Sequence, residues 1–203
     1  MAVQNNGAPN LPKFDELGLT ASPVAGVSLR DELVTIGPVA PADLGALFVW
    51  LNDADSARLD LPFRPLDCIA FKGLIEQIAK DATQVLFAIR KVREPQIIGF
   101  TVLRNLQLVH RSAELGIRIG DETERGKGYG GRAVGLVLNY AWNSLNLHRV
   151  SLTVLAHNAR AIASYLASGF AHEGVLKQAA FIDGKWCDVA VMAALRPDAP
   201  KLH

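Results

Sequence analysis

Between positions 125 and 131 the chain reads Arg125-Gly126-Lys127-Gly128-Tyr129-Gly130-Gly131, four glycines and two cations between a strand-like run at 114–119 and an apolar helical run. Residue types in that order can hold a phosphate. Glycine lets the backbone turn tightly and come close to a ligand, and the first N–H groups of the following helix lack intrahelical partners and point outward at the positive end of the helix dipole. The surrounding charge agrees. From Arg125 through His172 there is no Asp or Glu, while Arg125, Lys127, Arg132, Arg149 and Arg160 are cationic, in a chain otherwise balanced at 21 basic and 20 acidic residues.

The spacing narrows the choice of phosphate ligand. Gly126 to Gly131 spells G-x-G-x-x-G, but a dinucleotide site also needs a carboxylate at the end of the next strand, about twenty residues on, to bind a ribose hydroxyl. That strand ends in Ala156-His157-Asn158, and no acid appears before Glu173. A P-loop, G-x-x-x-x-G-K-[ST], has no match here. The pattern R-x-x-G-x-G remains, filled by Arg125, Gly128 and Gly130. Downstream, Asn158 is a good N-cap for a short helix, Tyr165 follows on roughly the same face, and Gly169-Phe170 ends the helix and starts a strand.

With these residues in that order, together with Ala113-Glu114-Leu115-Gly116-Ile117, His148-Arg149-Val150, Glu173-Gly174 and the run from Gly184 to Val189, the chain from Ala113 to Leu195 resembles the GNAT superfamily of acetyl-CoA-dependent N-acetyltransferases. The likeness is to the branch containing the ribosomal-protein-alanine acetyltransferases. Positions 33–98 match only in the order of elements, and the first thirty residues match nothing. The resemblance implies acetyl-CoA as cosubstrate and no metal. It implies that pyrophosphate sits on the N–H groups of Gly126, Lys127, Gly128, Tyr129, Gly130 and Gly131, with Arg125 or Lys127 supplying charge. Backbone groups of Ile117, Arg118 and Ile119 then hold the coenzyme arm, Gly116 permits local splaying of the strand, and Asn158 contacts the arm. Gly131 departs from the family, which more often has a larger residue there; it is expected to loosen the helix start.

Acetyl transfer to an amine needs a neutral nitrogen, a polarised thioester carbonyl and a proton for the departing thiolate. Tyr165 is the family-matched general acid, since a phenol with a pKa near 10 can donate to a thiolate; a ring packed under the sheet is the alternative. Glu114 is the general-base candidate, drawing a proton from the ammonium through water, against the reading of a solvent-facing strand residue. Asp121, Glu122 and Glu124 read as a solvated loop, and Glu173 as a residue ordering the Gly174 turn. Neither Cys68 nor Cys187 lies in a motif that would make an acyl-cysteine, so direct transfer in a ternary complex is expected. The acceptor is expected to be a primary amine, either the N-terminus of a protein, which the branch resemblance favours, or a small molecule such as a polyamine, amino sugar or antibiotic. Specificity is expected from positions 50–65, where Asp53, Asp55 and Asp60 interleave with Arg58 and Arg64, and from the hairpin at Asp183-Gly184. A non-catalytic acyl-CoA-binding or partner-binding module is the competing class.

The elements that must position these groups follow from periodicity. A strand at 33–36, helices at 41–52 and 67–80, and strands at 85–91, 97–104 and 114–119 precede the loop; a helix to about 142, a strand at 150–155, the Asn158 helix and strands near 170–182 and 186–195 follow it. This is an α/β (α+β) chain, a mixed, mostly antiparallel central sheet flanked by helices, as in the GNAT-like acyl-CoA N-acyltransferase fold. The helix over 133–142 is apolar nearly all round, as for a buried element. Residues 1–30, with Pro9, Pro12 and Pro23, read as an irregular arm before one domain over 31–203. Two isolated cysteines, no signal-like start and no bilayer-length apolar run imply a cytoplasmic protein without a membrane partner, and a net charge of +1 argues against nucleic acid. A mean hydropathy of +0.18 suggests apolar surface hidden beyond one core, hence a homodimer, with the arm and an exposed C-terminal edge strand as its parts.

Overall fold

The computed structural model describes residues 29–53 and 64–197, so the expected arm, apart from its last two residues, and the stretch holding Asp55, Arg58 and Asp60 lie outside the described residues. In chain order the elements are β1 Leu29–Arg30, β2 Val34–Gly37, a 3-10 turn Pro41–Asp43, α1 Leu44–Leu51, α2 Cys68–Lys80, β3 Val85–Lys91, β4 Ile97–Gln107 and β5 Ser112–Ile119. A 3-10 turn Glu122–Glu124 then leads to α3 Tyr129–Asn143, β6 Arg149–Leu155, α4 Ala159–Ala167, β7 Ala171–Ile182 and β8 Lys185–Leu195. The strands form one 8-stranded sheet in the order β1-β2-β3-β4-β5-β6-β8-β7. Every pair is antiparallel except β5 with β6.

The two faces of the sheet bury different helices because side chains alternate along each strand. Ala88, Ile97 and Phe100 pack with Leu44 and Leu47 of α1 and Phe71 of α2. Ile36, Phe87, Ile89, Leu103, Leu115 and Leu152 pack on the other face with Ala133, Val134 and Val137 of α3, and Ile162 and Tyr165 of α4 lean on the same core. Asp67 starts α2 by accepting the Ala70 N–H at 2.8 Å. Before α1, Asp43 is buried at 5% exposure, accepts the Ala40 N–H at 2.7 Å and pairs with Arg90 of β3, which fixes the helix entry to the sheet.

Three expectations need correction. The helix expected over 41–52 begins as a 3-10 turn, and α1 proper starts at Leu44. The strand expected from 33 starts one residue later and is preceded by β1, which takes the last two residues of the supposed arm into the sheet. Nor is α3 buried all round: Arg132, Gly135, Asn139 and Asn143 form one exposed stripe, spaced three and four residues apart.

Trp50, near the end of α1, lies flat against β5's exit. A Cβ built on Gly120 would meet the Trp50 ring at 2.0 to 2.5 Å. We expect Gly120→Ala to lower unfolding free energy by about 3 kcal/mol, the upper range for overpacking, since ring and helix must move together. Chemical denaturation of the variant checks this.

Candidate functional site

The site exists because two adjacent strands part company. β5 and β6 pair only over Ser112 with Arg149, Ala113 with Val150 and Glu114 with Ser151. Beyond that point β5 stays with β4 and β6 stays with β8, so a wedge opens between 115–119 and 152–155. The hydrogen-bond phase says which backbone groups face the wedge. Gly120 N–H donates to the Ile98 carbonyl at 3.0 Å, and the register alternates from there, so Gly116 and Arg118 turn their backbones to β4 while Leu115, Ile117 and Ile119 turn theirs to the opening. Ile117 and Ile119 therefore stand where an extended ligand arm can pair. Arg118 does not: its side chain crosses to the α1 side, where Nη1 donates to the Trp50 carbonyl at 2.9 Å and the guanidinium lies 5.9 Å from the Phe100 ring centre. Gly116 adds close packing, since a Cβ there would lie 3.0 Å from Val102 Cγ1.

At the wide end of the wedge sits the glycine loop. Gly126 and Gly128 have φ of +80° and +83°, a region L side chains rarely adopt, and Gly128 is the N-cap of α3. Among the described residues no side chain caps α3, so the amides of Tyr129, Gly130 and Gly131 in its first turn are offered to the cavity they line. The two loop cations have partners within the protein. Arg125 Nε donates to the Ile119 carbonyl at 3.0 Å, Nη2 to the Gly120 carbonyl at 3.2 Å and Nη1 to Glu122 at 2.8 Å, which ties the loop to the end of β5. Lys127 donates to Glu124 at 2.9 Å.

Glu124 is no solvated loop residue. It is buried at 9% exposure and bridges Lys127 and Lys91 of β3, each at 2.9 Å. The hydrogen bonds donated by Lys127 and Lys91 hold its carboxyl below the usual carboxylate range, and donating to Glu94 and Glu124 pushes the pKa of Lys91 up. A depressed acid contributes stability above its unfolded pKa, 4.5, and loses it as pH falls through the folded value. Glu124→Gln should therefore lower the thermal midpoint at pH 7, with the gap to the native chain closing as pH drops below that value; melting curves across acidic pH check it.

The far wall of the wedge is the start of α4. Asn158 Oδ1 accepts the Ala161 N–H at 3.1 Å, so its oxygen caps the helix, while the amide nitrogen is a separate pair of donors on a residue that lines the cavity. Tyr165 lines the cavity too, its ring 5.8 Å from that of Phe170. The ring therefore packs on Phe170 while the residue also lines the cleft. Gly131 brings α4 close, since a Cβ on it would meet Ser164 Oγ at 3.3 Å. It is a contact between helices rather than a weak helix start.

Glu114 sits at the fork itself, opposite Arg104 across β4, and the two form an ion pair at 3.3 Å. Arg104 lines the cavity; Glu114, with its side chain 45% exposed, stands behind it. Glu173 does not order a turn: it lies in β7 at a register shift between His172 and Gly174 and pairs with both guanidinium ends of Arg149, one at 2.6 Å. The cavity so formed measures about 360 Å³, within the range of small-ligand sites. Reasoning from sequence missed Arg104, Thr153, Ser164 and the lining role of Arg160. Only Arg160 carried a signal, its place two residues after Asn158 in an acid-free stretch. Among the described residues no group of side chains has a metal-binding arrangement, Cys68 and Cys187 are unbridged, and no helix is long and apolar enough to cross a membrane.

The parted β5 and β6 leave a cleft that ends on a glycine-rich helix start, and comparison with known proteins shows the family to which this chain belongs. Residues 34–171 match the model of the acetyltransferase (GNAT) domain, and the chain belongs to that family. It is 36% identical over 103 residues to the spermidine N(1)-acetyltransferase of Vibrio cholerae, a match covering 51% of this chain and 59% of that protein. It is 28% identical over 127 residues to the ribosomal protein uS5-alanine N-acetyltransferase of Escherichia coli K12, covering 62% of this chain and 65% of the relative. In three dimensions it matches the crystal structure of the Vibrio cholerae spermidine N-acetyltransferase in complex with CoA and spermine with a TM-score of 0.74, at 26% identity, over 81% of this chain and 96% of that one.

Proposed function

We propose that the protein is an acetyl-CoA-dependent N-acetyltransferase that moves an acetyl group directly to a primary amine in a ternary complex. The observation that carries this is the wedge: backbone groups of Ile117 and Ile119 along one wall, Asn158 on the other and the glycine loop at the open end fit a long, thin ligand with phosphates at one end. Acetyl-CoA supplies an activated thioester. Leu115, Ile117 and Ile119 orient the arm, Gly126 to Gly131 seat the pyrophosphate, and Asn158 holds the arm's polar atoms from α4. Tyr165 gives its proton to the departing sulfur. Glu114 takes the proton from the incoming ammonium, through water, once the acceptor competes with Arg104 for its carboxylate.

The acceptor is a primary amine, a class that includes both a polyamine and a protein N-terminus. The catalytic unit runs over 31–203 in the cytoplasm. We propose further that it works as a homodimer, because β7 is an exposed edge strand whose hairpin presents Val175, Leu176, Phe181 and Trp186 to solvent. A single 22-kDa species in sedimentation at every concentration would remove the dimer.

Titration with CoA and with NAD, followed by a mass-spectrometric screen of amines for gain of one acetyl group, tests the main reading. CoA binding and acetylation of nitrogen are expected. NAD binding without CoA binding, or acetylation on oxygen alone, would overturn it, and CoA binding with no acceptor would favour a non-catalytic module.

A further inference from the structure

We propose that Arg104 is a specificity-determining residue for the acceptor, selecting an amine that carries a carboxylate close by and disfavouring polycations. This rests on the reading of the wedge as the site of acetyl transfer. Arg104 stands on β4 directly across from Glu114 on β5, at the point where β5 and β6 separate. Leu103 and Leu115 turn to α3, so alternation sets Arg104 and Glu114 on the opposite face of the sheet. There α1 and α2 cover Ala88, Ile97 and Phe100, while at the fork the Arg104 and Glu114 side chains are 36% and 45% exposed. An acceptor can thus reach the fork from the face opposite α3. The ion pair uses little of the guanidinium. Only Nε contacts the carboxylate, at 3.3 Å, longer than a usual charge-assisted bond, and among the described residues neither terminal nitrogen of Arg104 has a partner.

That charge is out of reach of the coenzyme's phosphates. The glycine loop begins beyond Ile119, the end of β5, which lies about 17 Å along the extended strand from Glu114. An arm laid along 115–119, with its phosphates at the loop, brings its thioester to the fork, beside Arg104. Four arginines line the cavity against one acid, Glu124, and that acid already bridges Lys127 and Lys91. Arg104 lines it and Glu114 does not, so the wall at the fork presents a guanidinium to the cavity. A polyamine would bring its second cation against that charge. An acceptor with a carboxylate near its amine satisfies both residues at once: its ammonium pairs with Glu114, and its carboxylate takes the unused donors of Arg104, a planar fork that matches carboxylate geometry. A cross-strand ion pair is ordinarily a modest stabiliser of the sheet. This one is held by a single long contact at the place of reaction, and it leaves open the donors of a carboxylate clamp.

Both a free amino acid and a peptide whose second residue is acidic carry the required chemistry, and the experiment separates them. With acetyl-CoA, kcat/KM is measured for alanine against alaninamide, for peptides beginning Ala-Glu against Ala-Gln, and for putrescine. The proteins are the native chain, Arg104→Gln, Arg104→Lys and Arg104→Glu, with melting curves and CoA titration to verify folding and coenzyme binding. The readout is the ratio within each pair, so a general loss through Glu114 cancels. We expect the native ratio to exceed that of Arg104→Gln about tenfold or more in at least one pair, the worth of a lost charge-assisted contact. Arg104→Lys should recover part of it, and Arg104→Glu should shift preference toward putrescine. The pair that shows the drop identifies the source of the carboxylate. Equal ratios in the native chain and Arg104→Gln, or a native chain that prefers putrescine to both carboxylate-bearing acceptors, would overturn the inference while leaving the transferase reading intact. CoA binding with no amine acetylated would remove both.

Discussion

Replacing Gly128 with valine is expected to cut CoA affinity about a hundredfold while leaving the melting temperature nearly unchanged. The reason is conformational and not steric. A Cβ at this position would meet nothing within 4 Å, but the backbone holds φ at +83°, where a β-branched residue is a severe outlier. The loop can escape the strain by flipping out, since it is exposed, and in doing so it withdraws the amides of Tyr129, Gly130 and Gly131 from the cleft. The cost of left-handed backbone, about 1 to 2 kcal/mol per residue, accounts for part of the loss and the misplaced amides for the rest. Gly128→Asn is the control. Asparagine tolerates this region, so it should keep most of the affinity; if asparagine and valine variants bind CoA equally badly, bulk and not backbone shape is responsible.

Tyr165→Phe is expected to lower kcat about a hundredfold with little change in CoA affinity, because the ring's packing on Phe170 survives and only the donated proton is lost. The pH profile separates acid from packing. A general acid must be protonated, so the native rate should fall at alkaline pH as the phenol ionises, and the variant should lack that limb. An unchanged kcat would leave Tyr165 as a packing residue. Glu114→Gln serves as the complementary measurement on the removal of the amine's proton.

The glycine loop, the Asn158 cap and the order of strands were legible because each is local: a few adjacent residues dictate a turn, a cap or an alternation. Relations across the chain were not. Glu124 reads as a charged loop residue until β3 delivers Lys91 beneath it, and Glu173 reads as part of a turn until Arg149 lies beside it. For Arg125 and Lys127 the sequence shows the charge and hides the partners, Glu122 and Glu124. The register that sets Arg104 opposite Glu114 depends on an irregularity between Arg104 and Gln107 that no periodicity betrays. Gly131 looked like a flaw in a helix, and only the approach of Ser164 explains it.

The parting of β5 from β6 also sets the order in which the molecule can be made. The five strands from β1 to β5 pair with their neighbours in chain order, so each can dock as soon as it is synthesised. The remaining three cannot, because β8, the last strand, must slide between β6 and β7. The two walls of the cleft therefore differ in what they need from the rest of the chain: Leu115 to Ile119 belong to a half-sheet whose strands pair in chain order, whereas Leu152 to Leu155 lie beyond the three residue pairs with β5 and are paired by β8. The glycine loop lies between the two walls in sequence, so a chain that has the loop whole still lacks the strand that pairs the wall it faces.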